Sequence, residues 1–384
     1  MEFQFSEEQL MIQKAARDFA INECLPGVIE RDEKQKFPKE QIMKLGELGF
    51  MGMMVDQKYG GAGMDTVSYV LALEEINKID ASVGVCMSVN NSLVCWGLQA
   101  FGTEEQKIKY LTPLAQGQKN GELYIGAFLL SEPEAGSDAT SQRTTAVDKG
   151  DHYLLNGVKN WITNGNSASV YLVMAQTDAS KKSHGINTFI VEKNWEGVTV
   201  GAKENKLGIR GSDTHSILFN DVKVPKENQI GENGFGFTFA MRTLAGGRIG
   251  IASQALGIAS GSYELSLKYA KERKAFGAAI AQHQIIQFKL ADMATRIEAA
   301  RLLCLRSAWE KDNNMDYSLS SSMAKVFASE TAMWAATEAV QIHGGYGYVK
   351  EYHVERFMRD AKITQIYEGT SEVQRIVISR SILK

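Results

Sequence analysis

Few residues in this 384-residue sequence have side chains and settings that suggest chemistry, and one of them is a glutamate near the C-terminal end. Glu368 follows the apolar residues Ile366 and Tyr367 and precedes Gly369. Apolar neighbours raise the pKa of a carboxyl group by desolvation, so such a group can exchange a proton near neutral pH. A Glu–Gly pair on its own, however, is usually a solvated side chain before a turn. Both interpretations stay open for this segment alone.

Two other groups of residues have side chains suited to holding a ligand. Trp161 and Thr163 combine a flat apolar ring with a hydroxyl group on a strand-like segment. Arg273 and the pair Gly344 and Gly345 suit an anion, because a guanidinium binds two oxygens and glycines let backbone N–H groups approach closely. Each group also has an ordinary structural explanation: strand residues packed in a core or on a surface, a solvated arginine, and the end of a helix.

Composition and motif searches exclude several classes of function. Lys plus Arg is 42 against 45 Asp plus Glu, a net charge of −3, which lacks the positive charge that nucleic acid attracts. The sequence contains no phosphate-binding P-loop, no H-E-x-x-H, no G-x-S-x-G and no complete G-x-G-x-x-G. We therefore expect no nucleic-acid partner. The scattered cysteines form no C-x-x-C pair and no zinc pattern, which predicts reduced thiols and no metal site; they are Cys24, Cys86, Cys95 and Cys304.

No targeting signal is visible in the sequence. The N-terminus has no basic region followed by an apolar stretch, and no run of 18 uninterrupted apolar residues occurs. We expect no export and no membrane partner. These features favour a bacterial cytoplasm, although a processed chain in the mitochondrial matrix would have the same ones.

Proline positions and periodicity predict three domains. All five prolines lie at or before position 225, which permits long helices from 235 to 384. Within that stretch, one apolar helical stripe is formed by Leu290, Met293, Ala294 and Ile297. Shorter helices are predicted for the first 120 residues, where capping boxes begin at Ser6 with Gln9 and at Thr103 with Gln106.

Between about 122 and 230 the pattern changes to short apolar runs separated by Gly, Asn and Asp turns, at 153–155, 170–174, 188–191 and 216–219. These runs predict an antiparallel sheet or barrel. The order of helices, strands and helices excludes a doubly wound α/β fold and predicts domains at 1–121, 122–232 and 233–384.

Five segments of the chain resemble signatures of one known family, the acyl-CoA dehydrogenases. They occur in the family's order, and the resemblance spans essentially the whole chain. The segments are 129–138 (LLSEPEAGSD), 159–165 (KNWITNG), 272–277 (ERKAFG), 341–345 (QIHGG) and 359–372 (RDAKITQIYEGTSE). The resemblance implies a mainly α protein with a helical N-terminal domain, a small central β-domain and a C-terminal four-helix bundle.

Family members use bound FAD to remove one hydrogen from each of the α and β carbons of an acyl-CoA thioester. By resemblance, Glu368 is the base that takes the α proton, while the hydride from the β carbon passes to flavin N5. Some members, the isovaleryl and long-chain types, carry the base on a different helix. Aligning on ALGI at 255–258 places that alternative at Gly247, which has no carboxylate, so Glu368 is the candidate from the family pattern.

The resemblance also assigns residues to the cofactor. The first two signatures place a flat apolar wall and hydroxyl groups around the flavin. Two later segments reach the pyrophosphate and adenosine of the FAD held by a neighbouring subunit, so FAD is expected to lie at an interface of a homotetramer, a dimer of dimers. The candidate FAD-binding residues are Phe128, Leu130, Ser131, Trp161, Ile162, Thr163, Arg273, Phe276, Gln284, Gln341, Ile342, Gly344, Gly345, Thr370 and Glu372.

The acyl-CoA substrate is matched by Ser137, Arg248 and Gly369. Two departures from the family pattern are Ala245, where several members have an acidic residue, and Glu134, where glycine is usual. The segment 241–258 is most similar to the short-chain, butyryl-CoA type, which predicts a four-carbon preference. On the helix that floors the acyl pocket in relatives, one face carries Val85, Val89 and Leu93, which suit plain core packing equally well.

The predicted function is therefore oxidation of butyryl-CoA to crotonyl-CoA in fatty-acid β-oxidation, with electrons passed to an electron-transferring flavoprotein. Alternatives are a dehydrogenase of another chain-length or branched specificity, an acyl-CoA oxidase that returns electrons to oxygen, and a flavin-binding scaffold without catalysis. A chain length of 384 favours the dehydrogenase over the longer oxidases, and Glu368 speaks against the scaffold.

Overall fold

The computed structural model describes residues 4–384. Met1 to Phe3, where the search for a targeting signal begins, lie outside the described residues. Helices come first, strands follow and helices return, so the predicted order of secondary structure is confirmed.

The N-terminal part consists of short helices whose first residues are capped as the sequence predicts. Ser6 and Thr103 each form a capping box with the glutamine three residues later, which satisfies free N–H groups at the helix start. Three helical stretches are widened by π-turns at Ala20–Cys24, Val89–Cys95 and Lys107–Leu111. The α-helices are α1 (Glu7–Phe19), α2 (Val28–Glu33), α3 (Lys39–Glu47), α4 (Thr66–Asn77), α5 (Ala81–Ser88), α6 (Trp96–Phe101), α7 (Glu104–Gln106) and α8 (Thr112–Gln116).

The central part is built around an eight-stranded sheet. The strands of this part are β1 (Gln118–Lys119), β2 (Glu122–Leu123), β3 (Gly126–Leu129), β4 (Thr145–Asp148), β5 (His152–Thr163), β6 (Val170–Gln176), β7 (Ile186–Glu192), β8 (Val198–Lys203), β9 (Thr214–Pro225) and β10 (Gln229–Ile230). The order in the sheet is β10-β7-β6-β4-β5-β9-β8, with β3 pairing on β6. Strand β6 is buried along its whole length, as its continuous apolar sequence indicates.

The sheet departs from the purely antiparallel arrangement expected from the sequence. Most pairs are antiparallel, but β3 and β4 both pair with β6 in parallel. Parallel neighbours need long connections, and the segment between β3 and β6 is long enough to return the chain to the same end of the sheet. Short hydrophobic runs do not encode strand direction, so the sequence could not distinguish these pairings.

The C-terminal part contains the three longest helices of the described chain and two shorter ones. They are α9 (Gly236–Glu272), α10 (Gln284–Asp312), α11 (Ser318–His343), α12 (His353–Thr364) and α13 (Ser371–Ile382), and a small hairpin of β11 (Lys274–Ala275) and β12 (Ala278–Ala279) lies between α9 and α10. Helix α9 packs against α4, α10 and α11, and α12 and α13 pack on α11. The predicted stripe on α10 is confirmed, since Leu290, Met293 and Ile297 are buried and Ala294 is half-buried.

Two hydrophobic cores hold these parts together. The larger core joins the N-terminal and C-terminal helices, and the smaller lies within the β-domain. Among residues 4–384, the helical stretch Ala81–Phe101 is the one that is long and apolar enough to cross a membrane, and 94% of its most apolar window is buried inside the protein. Such burial is typical of a core helix.

Candidate active site

Glu368 lies in a tight connection between α12 and α13. Thr370 begins α13 as its N-cap, and its side chain accepts a hydrogen bond from the Val373 N–H. Glu368 has φ of 52° and Gly369 has φ of 93°, so two consecutive residues are left-handed. Such a backbone is uncommon for a residue other than glycine and persists only where neighbouring groups hold it. The connection therefore presents the glutamate at a cost in local conformational energy.

Two buried side chains hold this turn by its carbonyl groups. Lys325, on α11, donates from Nζ to the Gly369 carbonyl at 2.7 Å. Gln374, on α13, donates from Nε2 to the same carbonyl at 3.0 Å and to the Glu368 carbonyl at 3.2 Å. A Cβ at position 369 would lie 2.5 Å from Gln374 Nε2, and the φ of 93° is itself one that favours glycine. The turn is thus held by side chains from α11 and α13.

The carboxylate of Glu368 points into the protein and its Oε2 atom is left without a partner. Oε2 is buried and forms no hydrogen bond within the described chain. It lies directly against the backbone of Gly247 on α9, where a Cβ would come closer than 3.0 Å to Oε2 and within 2.7 Å of Leu93 Cδ2. Position 247, where other family members carry the base, therefore lies directly beside the carboxylate of Glu368. Gly247 leaves the room that this carboxylate occupies.

The pKa of Glu368 is set by opposing effects. Burial raises the pKa from 4.5 to about 7, while the positive charges of Lys325 and Arg248 act to lower it. Both cations act on the carboxylate through their charge and form no hydrogen bond with it in the part of the chain that the structure describes. The carboxylate can therefore be ionised near neutral pH with free lone pairs, which is the state that a general base requires.

Arg248 is itself buried, with 7% of its surface exposed. Its Nη1 donates to Ser322 Oγ at 3.3 Å, and its Nε has no partner within residues 4–384. Burial lowers its pKa, and the charge of Glu368 counteracts this effect. A buried guanidinium with an unused N–H beside a carboxylate is suited to an anionic or carbonyl group of a ligand.

The two strand segments with predicted flavin contacts are joined by a buried ion pair. Lys159 is fully buried on β5, and its Nζ donates to Glu132 Oε1 at 2.8 Å and to the Leu130 carbonyl at 3.0 Å. The Asn160 N–H donates to the Ser131 carbonyl at 2.9 Å. The predicted residues Leu130 and Ser131 are thus held against the strand that leads to Trp161.

The predicted flavin-binding side chains in the β-domain have different surroundings. Trp161 is 54% exposed and has φ of 57°, which turns a large aromatic ring outward from a strained backbone. Ile162 lies in the β-domain core, and Thr163 pairs with Thr214 across the sheet. Phe128 is half-buried and stacks on Phe239 of α9. An outward-facing ring beside a fixed loop can form one wall of an aromatic ligand site.

A separate cleft of about 510 Å³ gathers several of the remaining predicted residues. Arg273, Ile342, Gly344 and Gly345 line it together with the aromatic residues Tyr269, His343 and Tyr346. A Cβ at Gly344 or Gly345 would meet no atom within 4 Å, so the backbone there is open. The cleft offers a guanidinium, accessible backbone and stacked rings, a combination that fits a dinucleotide.

The other predicted residues lie at the surface or at the base-bearing turn. Phe276 is 97% exposed with φ of 52°, and Gln284, Gln341, Ser137 and Glu372 are also exposed. The structure brings together Glu368, Gly369 and Arg248. The lining of the cleft at Arg273 does not include these three residues.

Sequence models of the three domains of one family match this chain. The N-terminal domain of acyl-CoA dehydrogenase matches residues 6–118, the middle domain 127–222 and the C-terminal domain 234–383. The chain belongs to the acyl-CoA dehydrogenase family.

Several known proteins are similar to this chain over its whole length. The short-chain specific acyl-CoA dehydrogenase of Clostridium acetobutylicum is 48% identical over 100% of both chains. The structure of butyryl-CoA dehydrogenase from Megasphaera elsdenii superimposes with a TM-score of 0.97 at 48% identity, over 100% of both chains. A chain in a structure described as the electron-transferring flavoprotein of Acidaminococcus fermentans gives 0.98 at 50% identity, again over 100% of both chains.

Sequence reasoning on this acyl-CoA dehydrogenase missed the residues that support the site. Lys325 and Gln374 hold the Glu368 turn, and the Lys159 and Glu132 pair holds the strand segments. The available signal for Lys325 was a lysine in a stretch of α11 dominated by small and apolar residues. Burial of an isolated lysine cannot be deduced from such a stretch, since most lysines remain solvated.

Proposed function

We propose that this protein is a short-chain acyl-CoA dehydrogenase that oxidises butyryl-CoA to crotonyl-CoA, with Glu368 as the base that removes the α proton. The observation that carries this proposal is the buried, unpartnered Oε2 of Glu368, whose pKa lies at about 7. An α proton of a thioester is too weakly acidic for an ordinary solvated carboxylate. A desolvated carboxylate is a stronger base, and the surrounding positive charge keeps enough of it ionised.

FAD is the cofactor of this flavin-dependent oxidoreductase. The cleft at Arg273, Gly344 and Gly345 has the donors that a pyrophosphate needs, and the outward ring of Trp161 has the shape that a flavin needs. When bound, FAD supplies the acceptor for the hydride from the β carbon. Leu130 and Ser131, fixed by their bonds to β5, would hold the flavin edge, and the remaining candidates named from the signatures would complete the site.

The substrate thioester is proposed to lie between Glu368 and the flavin-binding segments. Arg248, with its unused Nε–H, and the Gly369 backbone lie beside the carboxylate, where a carbonyl or CoA oxygen would reach them. Leu93 contacts the same spot as Gly247 and Glu368. Val85 and Val89, from the same helical stretch, are buried with it. A large apolar side chain this close to the base leaves little depth for an acyl chain, which supports the preference for four carbons.

Electrons are proposed to pass from the reduced flavin to an electron-transferring flavoprotein. The active form is proposed to be a homotetramer in the cytoplasm, and its role is proposed to be in fatty-acid β-oxidation. The exposure of Phe276 and of the cleft at Gly345 in a single chain supports a neighbouring subunit at that position. The relative found in the Acidaminococcus fermentans structure supports the partner.

The decisive experiment is an anaerobic titration of the FAD-loaded protein with acyl-CoAs of increasing chain length, followed by flavin absorbance. Bleaching should be fastest with butyryl-CoA and should fall by about 10²- to 10⁴-fold in Glu368→Gln, since a positioned base contributes that factor. Bleaching of the variant at the parent rate would overturn the assignment of the base. Rates that peak at eight or more carbons would overturn the short-chain specificity, and rapid peroxide formation in air would indicate an oxidase.

A further inference from the structure

We propose that Lys325 is a positioning residue for the base: it fastens the left-handed Glu368 turn and supplies the positive charge that keeps the carboxylate ionised. This inference rests on the proposed role of Glu368. It assigns a part in the reaction to a residue of α11 that lies outside the five signature segments.

The first argument is the setting of the Lys325 side chain. It is fully buried, and its Nζ makes its hydrogen bond to a backbone carbonyl, that of Gly369, at 2.7 Å. A buried ammonium normally has a carboxylate partner, because an uncompensated charge in the protein interior is costly. Two nearby negative charges compensate this one without direct contact: Glu368, which has the larger effect, and Glu372. A lysine kept in this setting indicates a use for its charge.

The second argument is that the hydrogen bond alone does not require a lysine. The neutral amide of Gln374 already donates to the Gly369 carbonyl at 3.0 Å and also to the Glu368 carbonyl. What Lys325 adds to Gln374 is a positive charge beside the carboxylate. The two side chains therefore allow the effect of charge to be separated from the effect of fastening.

The third argument comes from the other groups that face Glu368. Arg248 approaches from α9, Tyr69 from α4 and Tyr367 from the turn itself. Burial raises the pKa of both tyrosines, so they stay neutral in the physiological range. Tyr317 faces Arg248, and Glu372 at the start of α13 faces Lys325 with an opposing charge. Lys325 and Arg248 are thus the two positive charges that act on the base within residues 4–384.

The test separates proton removal from hydride transfer. A butyryl-CoA analogue with sulfur in place of the β carbon has no hydride to give up, so exchange of its α protons into D₂O, followed by NMR, reports the base alone. In Lys325→Met the acidic limb of the exchange profile should move up by about 1 pH unit, as expected when a nearby opposite charge is lost. In Gln374→Met the maximal exchange rate should fall while the pH midpoint of the acidic limb stays in place. Lys325→Arg should return that midpoint to the parent value.

A second readout does not depend on turnover or on bound FAD. The carboxylate infrared band that titrates in the parent and disappears in Glu368→Gln reports this carboxyl directly, and its midpoint should rise by the same amount in Lys325→Met. Should the methionine variant fail to fold, Lys325→Gln is neutral, retains a donor, and is expected to give the same shift.

The outcomes distinguish the two proposals. If Glu368→Gln exchanges α protons like the parent, the proposed base is wrong. If that variant is inactive and the limb and band midpoint of Lys325→Met or Lys325→Gln equal those of the parent, the role of Lys325 is wrong and the base remains.

Discussion

Replacing Gly247 by alanine should displace the base and leave the course of α9 unchanged. A Cβ at position 247 would come closer than 3.0 Å to Glu368 Oε2, a separation that real Cβ atoms essentially never show. The neighbouring Gly246 is a matched control on the same helix. A Cβ there would first meet Tyr317 Oη at 3.9 Å and Lys311 Nζ at 4.0 Å, which are ordinary contacts.

The expected magnitude follows from the distance that the carboxylate must move. Oε2 has to retreat by about 1 Å to reach an ordinary contact of 3.4 Å, and a displacement of that size can cost about 10²-fold in rate. This factor corresponds to about 2.7 kcal/mol in the activation free energy. Alanine also has the higher helix propensity, by about 1 kcal/mol, so neither variant should lose stability through its backbone.

The assay is anaerobic flavin bleaching by butyryl-CoA in Gly247→Ala and Gly246→Ala, with thermal unfolding of both proteins. Gly247→Ala should be about 100-fold slower than the parent. Its melting temperature should fall modestly, because the new Cβ also lies within 2.7 Å of the buried Leu93 Cδ2. Gly246→Ala should stay within about threefold of the parent rate. A Gly247→Ala enzyme as fast as the parent would show that the carboxylate does not work where the structure places it. Equal losses in both variants would point to a general effect on α9.

Three further predictions concern titration, the buried ion pair and the cofactor cleft. The pKa of Glu368 is raised from 4.5 to about 7 in the folded protein, so ionisation of this carboxyl opposes folding as the pH rises through that window. The unfolding free energy of Glu368→Gln, measured by urea denaturation and compared with that of the parent, should therefore increase by about 2–3 kcal/mol between pH 4.5 and 8. Lys159→Met leaves Glu132 buried without its cation and should cost about 3–5 kcal/mol in unfolding free energy. Adding Glu132→Gln should recover part of that loss, and a double variant no more stable than Lys159→Met would contradict the pairing. Arg273→Leu should weaken FAD binding by about 10- to 100-fold, measured by the fluorescence of released flavin. The control Lys274→Leu, at the exposed neighbouring position, should bind FAD like the parent, and equal affinities in the two variants would exclude Arg273 from the cofactor site.

Much of the fold could be predicted because its signals are local. The capping boxes at Ser6 and Thr103, the absence of proline after position 225 and the stripe on α10 each act within a few residues, and each has the predicted structural result. The parallel pairing of β3 and β4 with β6 was not predicted. Strand direction depends on how the chain returns to the sheet, which a short apolar run does not encode.

The sequence by itself determined which family signatures are present and which glutamate is the candidate base, because those facts depend on residue identity and order along the chain. Only the tertiary structure decided that the carboxylate of Glu368 has no partner, that it occupies the space left by Gly247, and that Lys325 and Arg248 act on it. These groups belong to helices far apart in the sequence, and desolvation depends on everything packed around a group. A proton affinity near neutrality is therefore a property of the assembled helices.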